Sequence, residues 1–129
     1  MPAVRTRALA LTLAGALGAA ALTGVALAGA AKPPVKRSVT ATGSALKFSK
    51  KALKAPAGRV QVTLLNKSDL SHDIALKGRK LASPVKGKRV GKGRASKVTL
   101  TLKPGAYTYY CTVFGHESGG MKGTLTVTS

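Results

Sequence analysis

The sequence predicts an all-β sandwich of about seven to eight short strands, and three observations lead there. Beyond Arg37, apolar side chains recur with a period of two rather than 3.6. Clusters of Asn, Asp, Ser, Pro and Gly break these runs at short intervals. No stretch in this region has the length and periodicity of a crossover helix, which excludes a parallel β/α architecture.

Residues 1–30 stand outside that pattern. Arg5 and Arg7 precede an uncharged Ala, Leu, Gly and Thr stretch that ends in Ala28-Gly29-Ala30. Small residues at that spacing fit a signal-peptide cleavage site, with an uncleaved membrane anchor as the alternative. Export to the periplasm, cell envelope or medium is the expectation. Residues 31–37, with Pro33-Pro34 and three basic side chains, read as an extended linker. Residues 38–129 then form one domain with one modest core.

Within the domain, Val60, Val62 and Leu64 alternate with Gln61 and Thr63, and Asn66 to Asp69 supplies turn chemistry. Val98, Leu100 and Leu102 alternate with Thr99 and Thr101 before a turn at Pro104-Gly105. Tyr107, Tyr109 and Cys111 share one face of the next strand, and Leu125 and Val127 one face of the last. Shorter strands are expected at Ser38–Thr42, Leu46–Leu53 and His72–Leu76, all in antiparallel arrangement.

Charge bounds the partners. Residues 31–129 carry twenty Lys and Arg against Asp69, Asp73 and Glu117, a net +17, so partners should be acidic. The segment Lys77 to Lys97 holds nine basic residues, no acidic one and no aromatic, and reads as a flexible, solvated loop. Its functional alternative is a docking surface for an acidic protein or an anionic envelope polymer, through Lys86, Lys88, Arg89 and Lys92. Nucleic acid is a poor fit, because the segment has no aromatic on which bases could stack.

The chemistry concentrates at one place. After residue 30 the chain has one Cys, two His and one Met, and Cys111, His116 and Met121 fall at five-residue intervals. His72 alone lies upstream. Thiolate, imidazole and thioether suit copper and exclude Mg and Ca. A lone thiol in an exported protein cannot form an internal disulfide, so it must be buried or ligated. Cys111 ends one strand and Lys122-Gly123 opens another, so Cys111, His116 and Met121 can converge from a single hairpin. Gly115, Gly119 and Gly120 free the loop to curl around a small ion.

Ser71-His72-Asp73, followed by Gly105-Ala106-Tyr107-Thr108-Tyr109-Tyr110-Cys111-Thr112, then Gly115-His116, Met121 and Gly123, resembles the small blue copper proteins, the cupredoxins. The resemblance spans roughly Leu46 to Val127 and is nearest to plastocyanin, azurin and auracyanin. It implies an eight-stranded Greek-key sandwich holding one type 1 copper, with His72, Cys111 and His116 as strong trigonal ligands and Met121 as the weak axial one. It implies no enzyme but a monomeric electron carrier, with Tyr110 as an electron exit and Phe114 in an apolar patch around His116. A copper storage or delivery protein would use the same ligands, and a basic envelope-binding module is the third alternative.

Two departures from the family pattern stand out. Asp73 occupies a place where many relatives carry Asn; a carboxylate accepts the same hydrogen bonds, but its charge favours oxidised copper. No Pro occurs from Thr112 to Gly120, so Val113 keeps a backbone N–H able to reach the Cys111 sulfur, which acts in the opposite direction.

Overall fold

The computed structural model describes residues 31–129; the segment read as a signal peptide or anchor lies outside the described residues. Eight strands make two sheets: β1 (Val35–Gly43), β2 (Ala52–Pro56), β3 (Gly58–Ser68), β4 (Ala75–Lys77), β5 (Val85–Lys86), β6 (Ala95–Leu102), β7 (Gly105–Tyr110) and β8 (Lys122–Thr128). One sheet has the order β1-β3-β6 and the other β2-β8-β7-β4-β5.

The alternation read in the sequence becomes the inner faces of these sheets. Val60, Val62 and Leu64 of β3, Val98 and Leu102 of β6, Tyr107 and Tyr109 of β7, and Leu125 and Val127 of β8 are all buried in one core with Phe48 and Leu76. Their polar neighbours in the strands point outward, as a half-buried sheet requires.

Five features differ from the sequence reading. β1 begins at Val35, so the last three residues of the segment read as linker are strand. Val35 pairs with Val60, and the Arg37 guanidinium donates to the Lys54 carbonyl, which gives these basic residues a place on a sheet edge. The strand expected at Leu46–Leu53 is Ala52–Pro56, because Phe48 turns into the core while Ser49 is tied back to Thr40 through N–H···O at 2.8 Å and N–H···Oγ at 2.9 Å. Pairing is mixed rather than wholly antiparallel: β1 with β3 and β2 with β8 are parallel. β3 also runs on through Asn66 to Ser68, so the turn starts later than its composition suggests.

The segment Lys77 to Lys97 is the fifth. It is a strap rather than a loose loop: β5 pairs with β4, and Val90 exchanges backbone hydrogen bonds with His72 at 2.8 and 3.1 Å. Gly87 lies so close to the backbone of Lys97 that a Cβ there would sit 2.6 Å from its carbonyl oxygen. Asn66, fully buried, donates its side-chain amide to the carbonyls of Leu70 and Val90 at 2.8 and 2.9 Å and fixes both ends of the approach to His72.

Candidate metal centre

His72 meets the sequence-distant Cys111 and His116 at one end of the sandwich, where β4 begins, β7 ends and β8 begins. His72 enters ahead of β4, held by its backbone bridge to Val90. Cys111 follows β7 directly, on the buried face it shares with Tyr107 and Tyr109. His116 comes from the tight loop between β7 and β8. That loop closes on itself: His116 N–H donates to Val113 C=O at 3.0 Å, Met121 N–H to His116 C=O at 2.9 Å, and Cys111 N–H to Met121 C=O at 3.1 Å. Gly115 (φ 78°) and Gly120 (φ 109°) take left-handed backbone conformations that a side chain would strain.

His72 Nδ1 and His116 Nδ1 are 3.2 Å apart, and Cys111 Sγ lies 3.9 Å from the first and 3.6 Å from the second. A triangle with those edges has its centre about 2.1 Å from each corner, which is the length of a first-row-metal bond to nitrogen or sulfur (roughly 2.0–2.3 Å). Among the described residues this is the group of His, Cys, Asp and Glu side chains close enough to hold an ion. His72 is fully buried, and its other ring nitrogen, Nε2, has no hydrogen-bond partner. Leaving a buried ring nitrogen unsatisfied is unfavourable, and an ion at the centre of the triangle would be held by Nδ1 and would not satisfy Nε2. The donors fit a soft or borderline metal. Met121 is fully buried, and its main chain is bonded to both Cys111 and His116, which sets it beside the triangle.

The electrostatics favour neutral donors. Burial pushes the His72 pKa below the usual imidazole value, and the nearby His116 adds to the effect, while Asp73 opposes it. Burial likewise pushes the Cys111 thiol up, against the backbone N–H groups of Asp73 and Val113, which hydrogen-bond to the sulfur and pull it down. The Val113 contact is the one expected from the absence of proline in the loop.

Asp73 joins the two ligand-bearing segments. Its carboxylate accepts from the Thr112 N–H at 2.6 Å and from the Thr112 hydroxyl, and Arg89 Nε lies 3.7 Å away. The roles of Thr112, Arg89 and Asn66 are not visible in the sequence, since they depend on which segments lie side by side. Access to the triangle runs past His116, which is half-buried, and Phe114, which is fully exposed. Tyr110 is half-buried on the outer face, with the Lys77 ammonium 4.3 Å above its ring and bonded to Glu117.

The comparisons with known proteins agree with this geometry. The family described as copper binding proteins, plastocyanin/azurin family, matches residues 35–128. No curated protein matches the sequence. Among solved structures, the dithionite-reduced auracyanin of the photosynthetic bacterium Roseiflexus castenholzii is similar at 25% identity and a TM-score of 0.66, over 76% of this chain and 100% of that one. Auracyanin B gives 27% identity and a TM-score of 0.66, over 76% and 91%. Auracyanin A, a "blue" copper protein from the green thermophilic photosynthetic bacterium Chloroflexus aurantiacus, gives 26% and 0.64, over 74% and 100%. A two-sheet fold with an S,N,N triangle at one end, matched by the family over nearly all its described length, places this chain in the plastocyanin/azurin family of copper-binding proteins.

Proposed function

We propose that this protein is an exported one-electron carrier, in which His72, Cys111, His116 and Met121 would hold copper. Bound copper supplies the Cu(II)/Cu(I) couple. The chain's own residues supply a fixed frame, and the observation that carries the reading is the triangle of three donors at 3.2–3.9 Å. Two of its corners are buried and tied to β7 and the strap. A frame held that firmly resists rearrangement when the electron count changes, which keeps the barrier to transfer low.

His116 and the exposed Phe114 form the contact by which a partner reaches the centre, since His72 and Cys111 are sealed from solvent. The net charge of +17 on residues 31–129 draws in a partner with an acidic surface, and the association weakens as salt rises. No substrate chemistry is assigned to the site.

Voltammetry of the copper-loaded protein tests this. A reversible one-electron wave, with copper retained against a chelator through many cycles, is the expected result. Rapid loss of Cu(I) to the chelator, with no reversible wave, would replace the carrier by a copper storage or delivery protein. The envelope-binding alternative is separated by replacing Lys86, Lys88, Arg89 and Lys92 with Gln: retention of the variant on the cell envelope at the wild-type level removes it.

A further inference from the structure

One carboxylate beside the ligand residues is deeply buried. Each of the three carboxylate side chains among the described residues faces a cation: Glu117 with Lys77, Asp69 with Lys92 at 2.7 Å, and Asp73 with Arg89 at 3.7 Å. The first two carboxylates are partly or largely exposed, whereas the Asp73 side chain is only 3% exposed. It follows His72 in sequence, grips Thr112 beside Cys111, and its charge acts on both His72 and Cys111. A full negative charge in such a place is felt strongly, because little water screens it.

Arg89 is the cation that answers it, and Arg89 belongs to the strap. Its neighbours fix where it stands: Gly87 N–H donates to Ile74 C=O at 2.8 Å, Val90 is paired with His72, and Gly93 N–H donates to Asn66 C=O at 2.6 Å. The guanidinium thus reaches Asp73 from a backbone bonded on both sides of it. Its own side chain is 55% exposed, so it touches both the buried carboxylate and the solvent.

We propose that Arg89 is a positioning residue of the copper centre: it steadies Asp73 against Thr112 and offsets the carboxylate charge, so that the strap sets the balance between Cu(II) and Cu(I). The inference rests on copper being held by His72, Cys111 and His116. Reduction adds one electron, which the Asp73 charge opposes and the Arg89 charge assists. Removing Arg89 therefore favours Cu(II), and removing the charge of Asp73 favours Cu(I).

The test compares the Cu(II)/Cu(I) affinity ratio, read as the reduction potential, across Arg89→Gln, Arg89→Lys, Asp73→Asn and the Asp73→Asn/Arg89→Gln double variant, with Lys88→Gln as a control for the general surface charge. Arg89→Gln is expected to raise the ratio by roughly three- to tenfold, for a half-screened charge at this range; tenfold is about 59 mV for one electron. Arg89→Lys restores most of the shift, Asp73→Asn moves it the other way, and in the Asp73→Asn background Arg89→Gln still favours Cu(II) but by less, since only its direct charge effect remains. In the metal-free protein, Arg89→Gln speeds hydrogen exchange at the Thr112 amide, and Lys88→Gln does not. Should Asp73→Asn fail to fold, salt serves instead: raising it moves the wild-type potential toward that of Arg89→Gln and moves the variant less. A shift in Arg89→Gln no larger than in Lys88→Gln, or one of equal size without the Asp73 charge, overturns the proposal. Absence of copper binding in every variant and in the wild type would instead defeat the carrier reading.

Discussion

Replacing Gly123 by Ala probes how tightly the hairpin behind the centre is built. Gly123 is the second residue of β8, two residues after Met121, and pairs with Tyr109 across the β7/β8 ladder. The Tyr109 ring lies over it, so a Cβ there would sit 2.6 Å from Cε2 and closer still to Cζ and the hydroxyl. Carbon contacts settle near 3.5–4.0 Å, so the ring or the strand must move by about an ångström. Neither has room. Tyr109 is fully buried, tilted against Phe48 at 5.6 Å, and its hydroxyl donates to the Lys50 carbonyl at 2.6 Å. Overpacking of this kind costs about 1–3 kcal/mol, and losing the hydroxyl bond adds about 1 kcal/mol. The total, about 3 kcal/mol, is a large part of the 5–15 kcal/mol that holds a typical domain folded. It corresponds to a fall in Tm of roughly 12–24 °C for a domain of this size. Backbone strain does not contribute, since Gly123 is not among the glycines with positive φ. Thermal and urea unfolding of the metal-free protein measure the cost, and the Tyr109→Leu background isolates its cause: with the ring gone, Gly123→Ala should cost less than about 1 kcal/mol. A single variant within 0.5 kcal/mol of wild type, roughly the scatter of a neutral surface change, or costs that simply add in the double variant, would refute the packing argument.

Further outcomes follow from the same structure. Asn66→Ala strips the amide that holds Leu70 and Val90, and should cost about 2–3 kcal/mol while weakening copper retention through His72; full retention at the lower stability would separate the two effects. Leu125, fully buried in the core, should cost about 2–5 kcal/mol on replacement by Ala and leave the potential unchanged, as voltammetry of the folded fraction would show. Burial pushes the Tyr109 phenol up to about 12, above its unfolded value near 10, so its contribution to stability is complete below pH 10 and is lost as the pH rises through 12. Tyr109→Phe should flatten that part of the stability profile, by roughly 2–3 kcal/mol.

The face carrying Tyr107, Tyr109 and Cys111 was legible because period-two burial and ligand chemistry pointed the same way. The Cys111–His116–Met121 loop was legible for a local reason: all three residues belong to one hairpin, and glycines mark its sharp points. What stayed hidden depends on segments far apart in sequence. Val35–Arg37 looks like linker because Lys36 and Arg37 sit on an outer edge, and only the pairing with β3 makes them strand. The parallel pairings of β1 with β3 and β2 with β8 leave no signature in either strand alone. The strap looks like a loose loop in the sequence because most of its basic side chains are exposed, while the bonds that fix it are made by the backbone, which composition does not reveal.

The assignment of copper to His72, Cys111 and His116 is tested most directly by adding Cu(II) to the metal-free protein and recording the visible spectrum of wild type and Cys111→Ser. An intense thiolate-to-copper absorption at one ion per chain, lost on exchanging sulfur for oxygen, is the predicted result. A wild-type spectrum without that band, or one that survives in Cys111→Ser, would contradict it.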